Sequence, residues 1–305
     1  MTNHPDLIWL NDRICPWDQA RVHVTSETAL RGVNVFEGIR GYWQAGHGRL
    51  AVVRPAAHLA RLEQSAALMR IPHAGLDAQV REGMTALLAR LAPRHDVYLR
   101  PTLYVEDGRY TDDPDSVVTG LYITCVPAPP RPGRAAACRI STWMRIPDRA
   151  LPTAAKTGAA YAAFRLARLQ AQQDGADEAI LLNERGLVAE TGGAAVFAVM
   201  GGTLVTPPLG DGLLDSVTRG VVLALADRLG FPAQVRSLPP DELIGADEVF
   251  LTGTLDEIRP VASIDGQAVG DGTTGAVTGA VRRAYLAMCT GQAAPLDAMF
   301  TEVLA

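Results

Sequence analysis

The single lysine of this chain is the residue best suited to covalent chemistry. Lys156 lies in the stretch PTAAKTGAAY, and all the other members of the 28 lysine and arginine residues are arginines. A guanidinium stays protonated in proteins, whereas an amine can lose its proton and form a Schiff base with an aldehyde. Small residues on both sides of Lys156 leave room for a bulky group. The alternative is a stray lysine in an arginine-rich composition, so the other motifs must decide.

Two further side chains could act together with this amine. Tyr161 follows Lys156 by five residues, near the start of a predicted helix, and Glu190 ends the apolar stretch LVAE. Taken alone, such a phenol is typical of a half-buried helix residue. A carboxylate at the end of an apolar strand is costly to bury without a partner. Taken alone, Glu190 is equally well explained as the exposed end of a hairpin.

Two turns could bind an anion through backbone amides. The stretch DSVTRG begins a predicted helix at Val217 and Thr218, where the N-terminal amides favour a phosphate. The stretch LTGT places Gly253 and Thr254 at the end of a predicted strand, where glycine lets the backbone approach a ligand closely. Each signal is weak alone. Together, an amine, a phenol, a carboxylate and two amide turns suit a cofactor that carries an aldehyde and a phosphate.

Composition argues against several classes of protein. The chain has 305 residues, a hydrophobic fraction of 48% and a net charge of -5, values typical of a globular protein. It has no basic run, so neither nucleic acid nor an anionic membrane is an expected partner. Its cysteines and histidines are scattered and HExxH is absent, so no metal site is predicted, and the absence of Walker A and GxSxG motifs argues against P-loop proteins and hydrolases. Without a signal-peptide pattern or a long apolar run, a cytoplasmic location is expected.

A proline-rich stretch divides the chain into two parts. CVPAPPRPGRAAAC contains four prolines and a glycine, which do not fit the interior of a helix or central strand. We interpret 125–137 as an interdomain linker. It would join a small α+β domain, 1–124, to a larger strand-rich α+β domain, 138–305. The order of strands, helix and strands in the second part argues against a doubly wound parallel sheet.

Hydrophobic periodicity predicts the main elements of both domains. In the first, a strand ends at Val53, a helix begins at Pro55, and the helix LDAQVREGMTALLARLA precedes the strands DVYLRPTLYVED and VVTGLYITCV. In the second, DEAILLNERGLVAET and AAVFAVMGGTLVTPP are predicted hairpins. Ser216 is expected to cap a helix that ends at Gly230.

In this combination the chain resembles the fold-type IV pyridoxal-phosphate enzymes and, among them, the branched-chain amino-acid aminotransferases. The resemblance covers nearly the whole chain and is carried by VFEGIRGYW, HLARLEQSA, YLRPTLYVEDG, PTAAKTGAAY, ADEAILLNERGLVAET, LVTPPLGDGLLDSVTRG and ADEVFLTGTLDEIRPV. The lysine, the glutamate hairpin, the SVTR turn and the TGT turn follow the family's order. The resemblance implies a two-domain α+β fold like that of D-amino-acid aminotransferase, pyridoxal 5'-phosphate as cofactor, and a homodimer.

The resemblance also implies a role for each cofactor-binding residue. Lys156 matches the Schiff-base lysine, Glu190 the carboxylate that keeps the pyridine nitrogen protonated, and Tyr161 the phenol near the ring oxygen. Arg61, in HLARL, matches the arginine that binds the phosphate. The turns that bind the phosphate match Val217, Thr218, Gly253 and Thr254.

A first group of substrate-binding residues is implied by two motifs. The form VFEGIRGY is typical of the branched-chain subgroup and matches Phe36, Gly38 and Arg40. In YLRP, Tyr98 would help to hold the α-carboxylate of the substrate. Arg100, in the same motif, would bind the distal carboxylate of glutamate.

A second group includes two departures from the family. The backbone at Thr254 and Leu255 would hold the α-carboxylate, and Trp143 matches an aromatic residue near the pocket. Arg31 stands where the branched-chain enzymes usually carry a tyrosine that lines the side-chain pocket. Ala195 stands where the family usually has an asparagine. An arginine pointing into the pocket would suit a polar or anionic side chain, so these departures concern the substrate rather than the chemistry.

The sequence therefore predicts a pyridoxal-phosphate-dependent transaminase. It would move an amino group between a branched-chain-like amino acid and a 2-oxo acid by a ping-pong mechanism. The alternatives are a D-amino-acid or amine transaminase, an aminodeoxychorismate lyase of the same fold, and a catalytically silent relative. VFEGIR argues against the first two, and the set of Lys156, Glu190 and Arg61 argues against the third.

Overall fold

The structure is a computed structural model that describes residues 4–108, 113, 116–130 and 134–303. The first of its two compact units consists of Met1–Pro130, Ala155–Ala159 and Cys289–Ala305. The second unit consists of Arg131–Ala154 and Ala160–Met288. The sequence placed 155–159 and 289–305 in the second domain, whereas their contacts place both segments in the first unit.

Both units contain strands and helices. In chain order the strands are β1 (Leu7–Leu10), β2 (Arg13–Pro16), β3 (Asn34–Phe36), β4 (Ile39–Gln44), β5 (Arg49–Val53), β6 (Val97–Asp107), β7 (Val118–Pro127), β8 (Ala136–Ile140), β9 (Glu178–Leu182), β10 (Val188–Thr191), β11 (Ala195–Met200), β12 (Thr203–Thr206), β13 (Ala233–Val235), β14 (Glu248–Gly253), β15 (Glu257–Ile264), β16 (Gln267–Ala268) and β17 (Thr301–Val303). The α-helices are α1 (Glu27–Arg31), α2 (Pro55–Leu68), α3 (Leu76–Leu91), α4 (Tyr161–Gln173), α5 (Val217–Leu229), α6 (Pro240–Ile244) and α7 (Ala276–Cys289).

The sheet of the first unit is antiparallel. Its strand order is β17-β5-β4-β6-β7-β1-β2, with β3 paired to β6. Val97, Leu99 and Leu103 of β6 belong to the apolar core that also contains buried side chains of α2 and α3. Side chains alternate between the two faces of a strand, so Tyr98 and Arg100 lie on the opposite face from that core.

Helix α2 is buried along two neighbouring stripes. Pro55 begins the helix as predicted, and Leu59, Leu62 and Ala66 are fully buried in the core. Beside this apolar stripe lies a second one whose members are polar and yet also buried: His58, Arg61 and Ser65. Buried polar groups need hydrogen-bond partners, so the second stripe indicates a polar network rather than simple core packing.

The sheet of the second unit closes on itself. Its order is β10-β9-β8-β15-β14-β11-β12-β13, and β10 also pairs with β11 through Glu190 and Ala195. The six strands from β10 to β11 therefore form a closed ring, as in a small barrel. Strand β8 runs parallel to both of its neighbours, β9 and β15.

Local signals located several elements correctly. The strand ending at Val53, the helix beginning at Pro55 and the two hairpins β9–β10 and β11–β12 are confirmed. Ser216 Oγ accepts a hydrogen bond from the Arg219 N–H at 3.2 Å, so it caps α5, and Gly230 ends that helix with a φ of 75°.

The connection between β7 and β8 is shorter than the linker 125–137 that the sequence predicts. Strand β7 continues to Pro127 and β8 begins at Ala136, so both ends of the stretch belong to strands. Residues 131–133 of this stretch lie outside the described residues. Over the part of the chain that the structure describes, each helix is too short or too polar to cross a membrane.

Candidate active site

Lys156 is anchored in the first unit through both of its backbone groups. Its N–H donates to Ser65 Oγ at 3.0 Å, and its C=O accepts from the Phe36 N–H at 3.1 Å. Its Nζ lies 4.8 Å from the centroid of the Phe36 ring. Thr157 Oγ1 donates to the Asn34 C=O at 2.8 Å, which fixes the same segment again. The lysine is thus held by β3 and α2.

Arg61, the predicted phosphate ligand, forms a buried ion pair within the first unit. Its Nε lies 2.7 Å from Glu37 Oε1, and its Nη2 lies 2.8 Å from Glu37 Oε2. His58 Nδ1 lies 2.7 Å from the same Oε2. The side chain of Glu37 is fully buried. Burial alone would raise the pKa of Glu37, but the Arg61 charge and the His58 hydrogen bond hold that pKa far below its usual value.

Four of the predicted substrate-binding residues come together in the first unit. The Arg100 guanidinium carbon lies 3.8 Å from the centroid of the Phe36 ring, a cation–π contact. A Cβ atom at Gly38 would lie 2.3 Å from Tyr98 Oη, so a larger residue would displace the phenol. Since Lys156 Nζ also lies over the Phe36 ring, these residues and the lysine form one group.

The other two predicted arginines of the first unit point to carboxylates. Arg40 is 2% exposed, and its Nη2 donates to the Ala128 C=O at 3.0 Å and contacts Asp96 Oδ2 at 3.4 Å. Arg31 lies at the end of α1 and pairs with Glu27 one helical turn earlier. The side chain of Arg31 is half exposed. Its positive charge is therefore balanced within its own helix.

Glu190 pairs with an arginine of the second unit that sequence reasoning did not select. Arg145 Nε donates to Glu190 Oε1 at 2.7 Å, and Arg145 Nη2 donates to the Thr153 C=O at 3.2 Å. The Arg145 guanidinium carbon lies 5.0 Å from the Phe164 ring centroid, and that ring makes an edge contact with Tyr161 at 5.2 Å. The predicted ring-nitrogen and ring-oxygen ligands therefore belong to one cluster.

Ala195, one of the two departures from the family, lies on β11 at the point where that strand pairs with β10 and closes the ring of strands. It is buried, and it stands opposite Glu190 on one side and Thr252 on the other. Thr252 Oγ1 is buried and makes no hydrogen bond to any described residue. An alanine has no side-chain polar group to offer this hydroxyl.

The N-terminus of α5 is fixed by an arginine inside the predicted SVTR turn. Arg219 Nε donates to Thr206 Oγ1 at 3.1 Å, and its Nη2 donates to the Pro207 C=O at 2.8 Å. Burial lowers the pKa of Arg219. Val217 and Thr218 begin the helix, and Thr218 is buried. The turn is therefore tied to the end of β12.

The TGT turn is close to the loop that follows Glu190. A Cβ atom at Gly253 would lie 2.7 Å from the Gly193 carbonyl oxygen, so glycine permits this backbone approach. Thr254 follows at the end of β14. Leu255 is 36% exposed and Trp143 is 45% exposed. The structure places the side chains of both residues at the surface of the second unit, although for Leu255 the prediction concerned the backbone.

Sequence reasoning missed the partners of the site residues rather than the residues themselves. Glu37 lies inside the quoted motif VFEGIR and His58 inside HLARL, but only their neighbours were selected. Arg145 lies in STWMRIP, eleven residues before Lys156. One signal was available: an acidic residue such as Glu37, set among apolar residues and glycine, requires a cationic partner if it is buried.

The chain matches known proteins over almost its full length. Residues 34–264 match the family model described as amino-transferase class IV. A branched-chain-amino-acid aminotransferase of Escherichia coli is 34% identical over 297 residues, which cover 95% of each chain. A solved branched-chain aminotransferase of Thermobaculum terrenum in its PLP-form has a TM-score of 0.91 and 34% identity and covers all of both chains. A Thermoproteus uzoniensis structure with norvaline has a TM-score of 0.91 and 29% identity over 99% of this chain and 100% of that chain.

These matches confirm the predicted α+β fold class and the cofactor. The residues present also fit pyridoxal phosphate chemically, since the first unit offers Lys156 and Arg61, an amine and a guanidinium. The second unit offers the Glu190 carboxylate, the Tyr161 phenol and the capped N-terminus of α5. The chain therefore belongs to the class IV aminotransferases and is a pyridoxal-phosphate-dependent enzyme.

Proposed function

We propose that this aminotransferase moves an amino group between a branched-chain-like amino acid and a 2-oxo acid. The observation that carries the proposal is the joint anchoring of Lys156 and Arg61. Ser65 Oγ donates to the Arg61 C=O at 2.7 Å and accepts from the Lys156 N–H at 3.0 Å. One hydroxyl thus joins the backbones of the residues that carry the reactive amine and the phosphate-binding guanidinium. The relatives' names and the bound norvaline support a small aliphatic substrate.

Each site residue has a proposed chemical role. When bound, pyridoxal phosphate stabilises negative charge at the α-carbon of the substrate. Lys156 Nζ would hold the cofactor covalently until the amino group of the substrate displaces it, and the freed amine would then move the proton of the α-carbon, a step that contributes about 10²–10⁴-fold to such rates. Glu190 supplies the anion that keeps the pyridine nitrogen protonated, and Tyr161 binds the ring oxygen. The phosphate is bound by Arg61 and by backbone and side-chain donors of Val217, Thr218, Gly253 and Thr254.

The substrate side rests on the group around Phe36. Its ring presents apolar surface, and Tyr98 and Arg100 provide donors for the carboxylates of the amino donor and acceptor. Because Arg31 is paired with Glu27, we expect it not to favour acidic side chains. The ratio of kcat/KM for leucine to that for an acidic donor should therefore be the same in wild type and Arg31→Tyr. A changed ratio would make Arg31 a specificity residue.

The assembly and the location of the enzyme are also part of this proposal. Its resemblance to the fold-type IV family supports a homodimer, and its composition supports a cytoplasmic location. A division of the chain within 125–137 is supported by the four prolines of that stretch. Molar mass in solution, measured by light scattering, decides the assembly: a monomer that retains full activity would contradict the dimer.

A single labelling experiment tests the covalent step. Borohydride treatment of the cofactor-loaded protein should fix one pyridoxyl group on the peptide that contains Lys156, the single lysine. The variant Lys156→Arg should show neither label nor amino transfer, because a guanidinium does not react with the aldehyde. A screen of leucine, valine, norvaline and their D-enantiomers with 2-oxoglutarate identifies the donor. A label elsewhere, or no transfer from any of these donors, contradicts the proposal.

A further inference from the structure

Glu37 is a buried carboxylate that neither the motif roles nor the proposed chemistry uses. It lies between Phe36 and Gly38, and its side chain is 0% exposed. Its two oxygens make four contacts within the first unit. Oε1 accepts from Arg61 Nε at 2.7 Å, and Oε2 accepts from Arg61 Nη2 at 2.8 Å, from His58 Nδ1 at 2.7 Å and from the Gly38 N–H at 3.2 Å.

These contacts and the burial of the group shift the pKa values of Glu37 and His58. Burial opposes the ionised form of Glu37, but Arg61 and His58 outweigh it and hold the pKa of Glu37 far below its usual value. Burial also lowers the pKa of His58, despite its hydrogen bond to Glu37. An ionised carboxylate only accepts hydrogen bonds, so His58 Nδ1 carries the proton. The group is therefore a charged pair with a neutral imidazole as a second donor.

The contacts to Glu37 fix the plane of the Arg61 guanidinium. An arginine side chain is long and has several rotatable bonds, so an isolated guanidinium samples many directions. Here two of its three nitrogens lie on the two oxygens of one carboxylate, the bidentate geometry that gives the strongest orientation. Because the group is planar, fixing two nitrogens also fixes the direction of the third.

We propose that Glu37 is a positioning residue for the cofactor: it fixes the direction in which Arg61 faces the phosphate. The proposal deepens the proposed function, since it rests on the phosphate-binding role of Arg61. It also explains why a fully buried carboxylate stands beside the substrate-binding Phe36. Glu37 acts through Arg61 and does not touch the reacting atoms.

A circuit of hydrogen bonds connects this pair to the reactive lysine. The Arg61 C=O accepts a hydrogen bond from the Ser65 hydroxyl, and the same hydroxyl accepts one from the Lys156 N–H. The Lys156 C=O in turn accepts from the N–H of Phe36, the neighbour of Glu37. The circuit lies entirely within the first unit. Because it returns to its starting point, the orientation of Arg61 and the position of the Lys156 backbone are set by the same few residues.

The test compares two aldehydes that differ only in the phosphate. Pyridoxal phosphate and pyridoxal both react with Lys156, but only the first can use Arg61. In Glu37→Gln the dissociation constant of pyridoxal phosphate should rise about 10- to 100-fold, the range for hydrogen bonds to charged groups. The dissociation constant of pyridoxal should change by less than about 2-fold. Absorbance titration of the apo protein measures both constants, so no activity is needed.

Two further variants keep the test decisive. Glu37→Asp keeps the buried charge but shortens the side chain, so it should fold and should also lose selectivity for the phosphate. In an Arg61→Ala background, Glu37→Gln should add no further loss, because its effect passes through Arg61. Glu178→Gln removes a buried glutamate that pairs with Arg168 elsewhere, and it should leave both constants unchanged.

Three outcomes would overturn the proposal. The first is an equal rise for pyridoxal and pyridoxal phosphate in Glu37→Gln, which is the signature of general structural damage. The second is a full additional loss in the Arg61→Ala background. The third is unchanged selectivity in Glu37→Asp when Glu37→Gln does not fold. A wild-type protein that binds the cofactor on Lys156 and transfers no amino group would contradict the proposed function but leave these titrations interpretable.

Discussion

Two buried arginine–carboxylate pairs, Arg61–Glu37 in the first unit and Arg145–Glu190 in the second, have reversed roles. In the first unit the arginine, Arg61, is the residue proposed to bind the cofactor, and Glu37 is its support. In the second unit the carboxylate, Glu190, is proposed to bind the cofactor, and Arg145 is its support. In both pairs the proposed ligand is the more exposed partner: 10% for Arg61 against 0% for Glu37, and 8% for Glu190 against 3% for Arg145.

In both pairs the less exposed, inner partner carries the charge that holds the more exposed, outer partner in place. A phosphate requires a cation, and Glu37 holds the Arg61 guanidinium in place to bind it. A protonated ring nitrogen requires an anion, and Arg145 holds the Glu190 carboxylate in place to bind it. Burying either charge alone would be costly, whereas a close pair compensates most of that cost. The two pairs should consequently respond differently to the loss of the inner and of the outer partner.

The largest effect is expected from removing the inner partner of the second unit. Arg145→Ala leaves Glu190 buried without the Arg145 charge, which should lower the free energy of unfolding of the apo protein by about 3–5 kcal/mol. Denaturant titration measures this change. Arg139→Ala, which removes an exposed arginine whose Nε lies 3.2 Å from Oδ2 of the exposed Asp174, is the control and should cost at most about 1 kcal/mol. Equal losses in both variants would contradict a special role of Arg145.

A somewhat smaller effect is expected from neutralising the outer partner of the second unit. Glu190→Gln keeps the shape of the side chain but removes the anion that holds the proton on the ring nitrogen. The cofactor should remain bound while kcat falls about 100- to 1,000-fold, the range for a lost electrostatic contact at a reacting group. Steady-state rates and cofactor absorbance separate the two effects. Unchanged turnover would reduce Glu190 to a structural residue.

The outer partner of the first unit should behave in the opposite way. Arg61→Ala should weaken cofactor affinity by roughly 1.5–3 kcal/mol, because one charge-assisted contact to the phosphate is lost. Turnover should recover with excess cofactor, since Arg61 moves no proton. Rates measured over a range of cofactor concentrations test this. A low kcat at saturating cofactor would mean that the two pairs do not divide binding and chemistry as proposed.

The smallest effect is expected in the pH dependence of stability. Glu37 and His58 both have a lowered pKa in the folded protein, so the unfolded chain binds their protons first as the pH falls. The free energy of unfolding should therefore decrease below about pH 6.5 through His58, and further below about pH 4.5 through Glu37. Each group contributes at most about 1.4 kcal/mol per pH unit.

The variant His58→Gln isolates the upper part of this pH profile. Glutamine does not titrate, so the decrease between about pH 6.5 and 5 should become shallower than in wild type, while the acid limb through Glu37 remains. Denaturant titrations at several pH values measure the two slopes. An identical profile in both proteins would show that His58 does not titrate against folding.

Local sequence signals predicted many of the elements that carry the site. Pro55, Ser216 and Gly230 each determine a helix end through their own backbone preferences, and the structure has all three ends where the sequence places them. The hairpin before Glu190 is equally local. The proline-rich stretch was overestimated because strand pairing to distant neighbours keeps both of its ends in β7 and β8.

In the candidate site, too, the sequence predicted the residue types but not the contacts around them. The types and order of Lys156, Tyr161 and Glu190 were readable in the sequence, because an amine, a phenol and a carboxylate have chemistry of their own. Their surroundings were not readable. Whether Arg31 points into a pocket or pairs with Glu27 depends on how α1 packs, and the i to i+4 spacing of the two residues only made the pair possible.

The sequence by itself determined the chemistry of this protein, and the tertiary structure decided which charges support it. A single lysine among arginines, with its motifs in order, is enough to identify the family and to predict the covalent residue. The partners Glu37 and Arg145 lie 24 and 45 residues from Arg61 and Glu190, and 155–159 joins the first unit across more than 80 residues of chain. Such pairs form because folding buries both charges at once, and no local preference of either residue encodes that requirement.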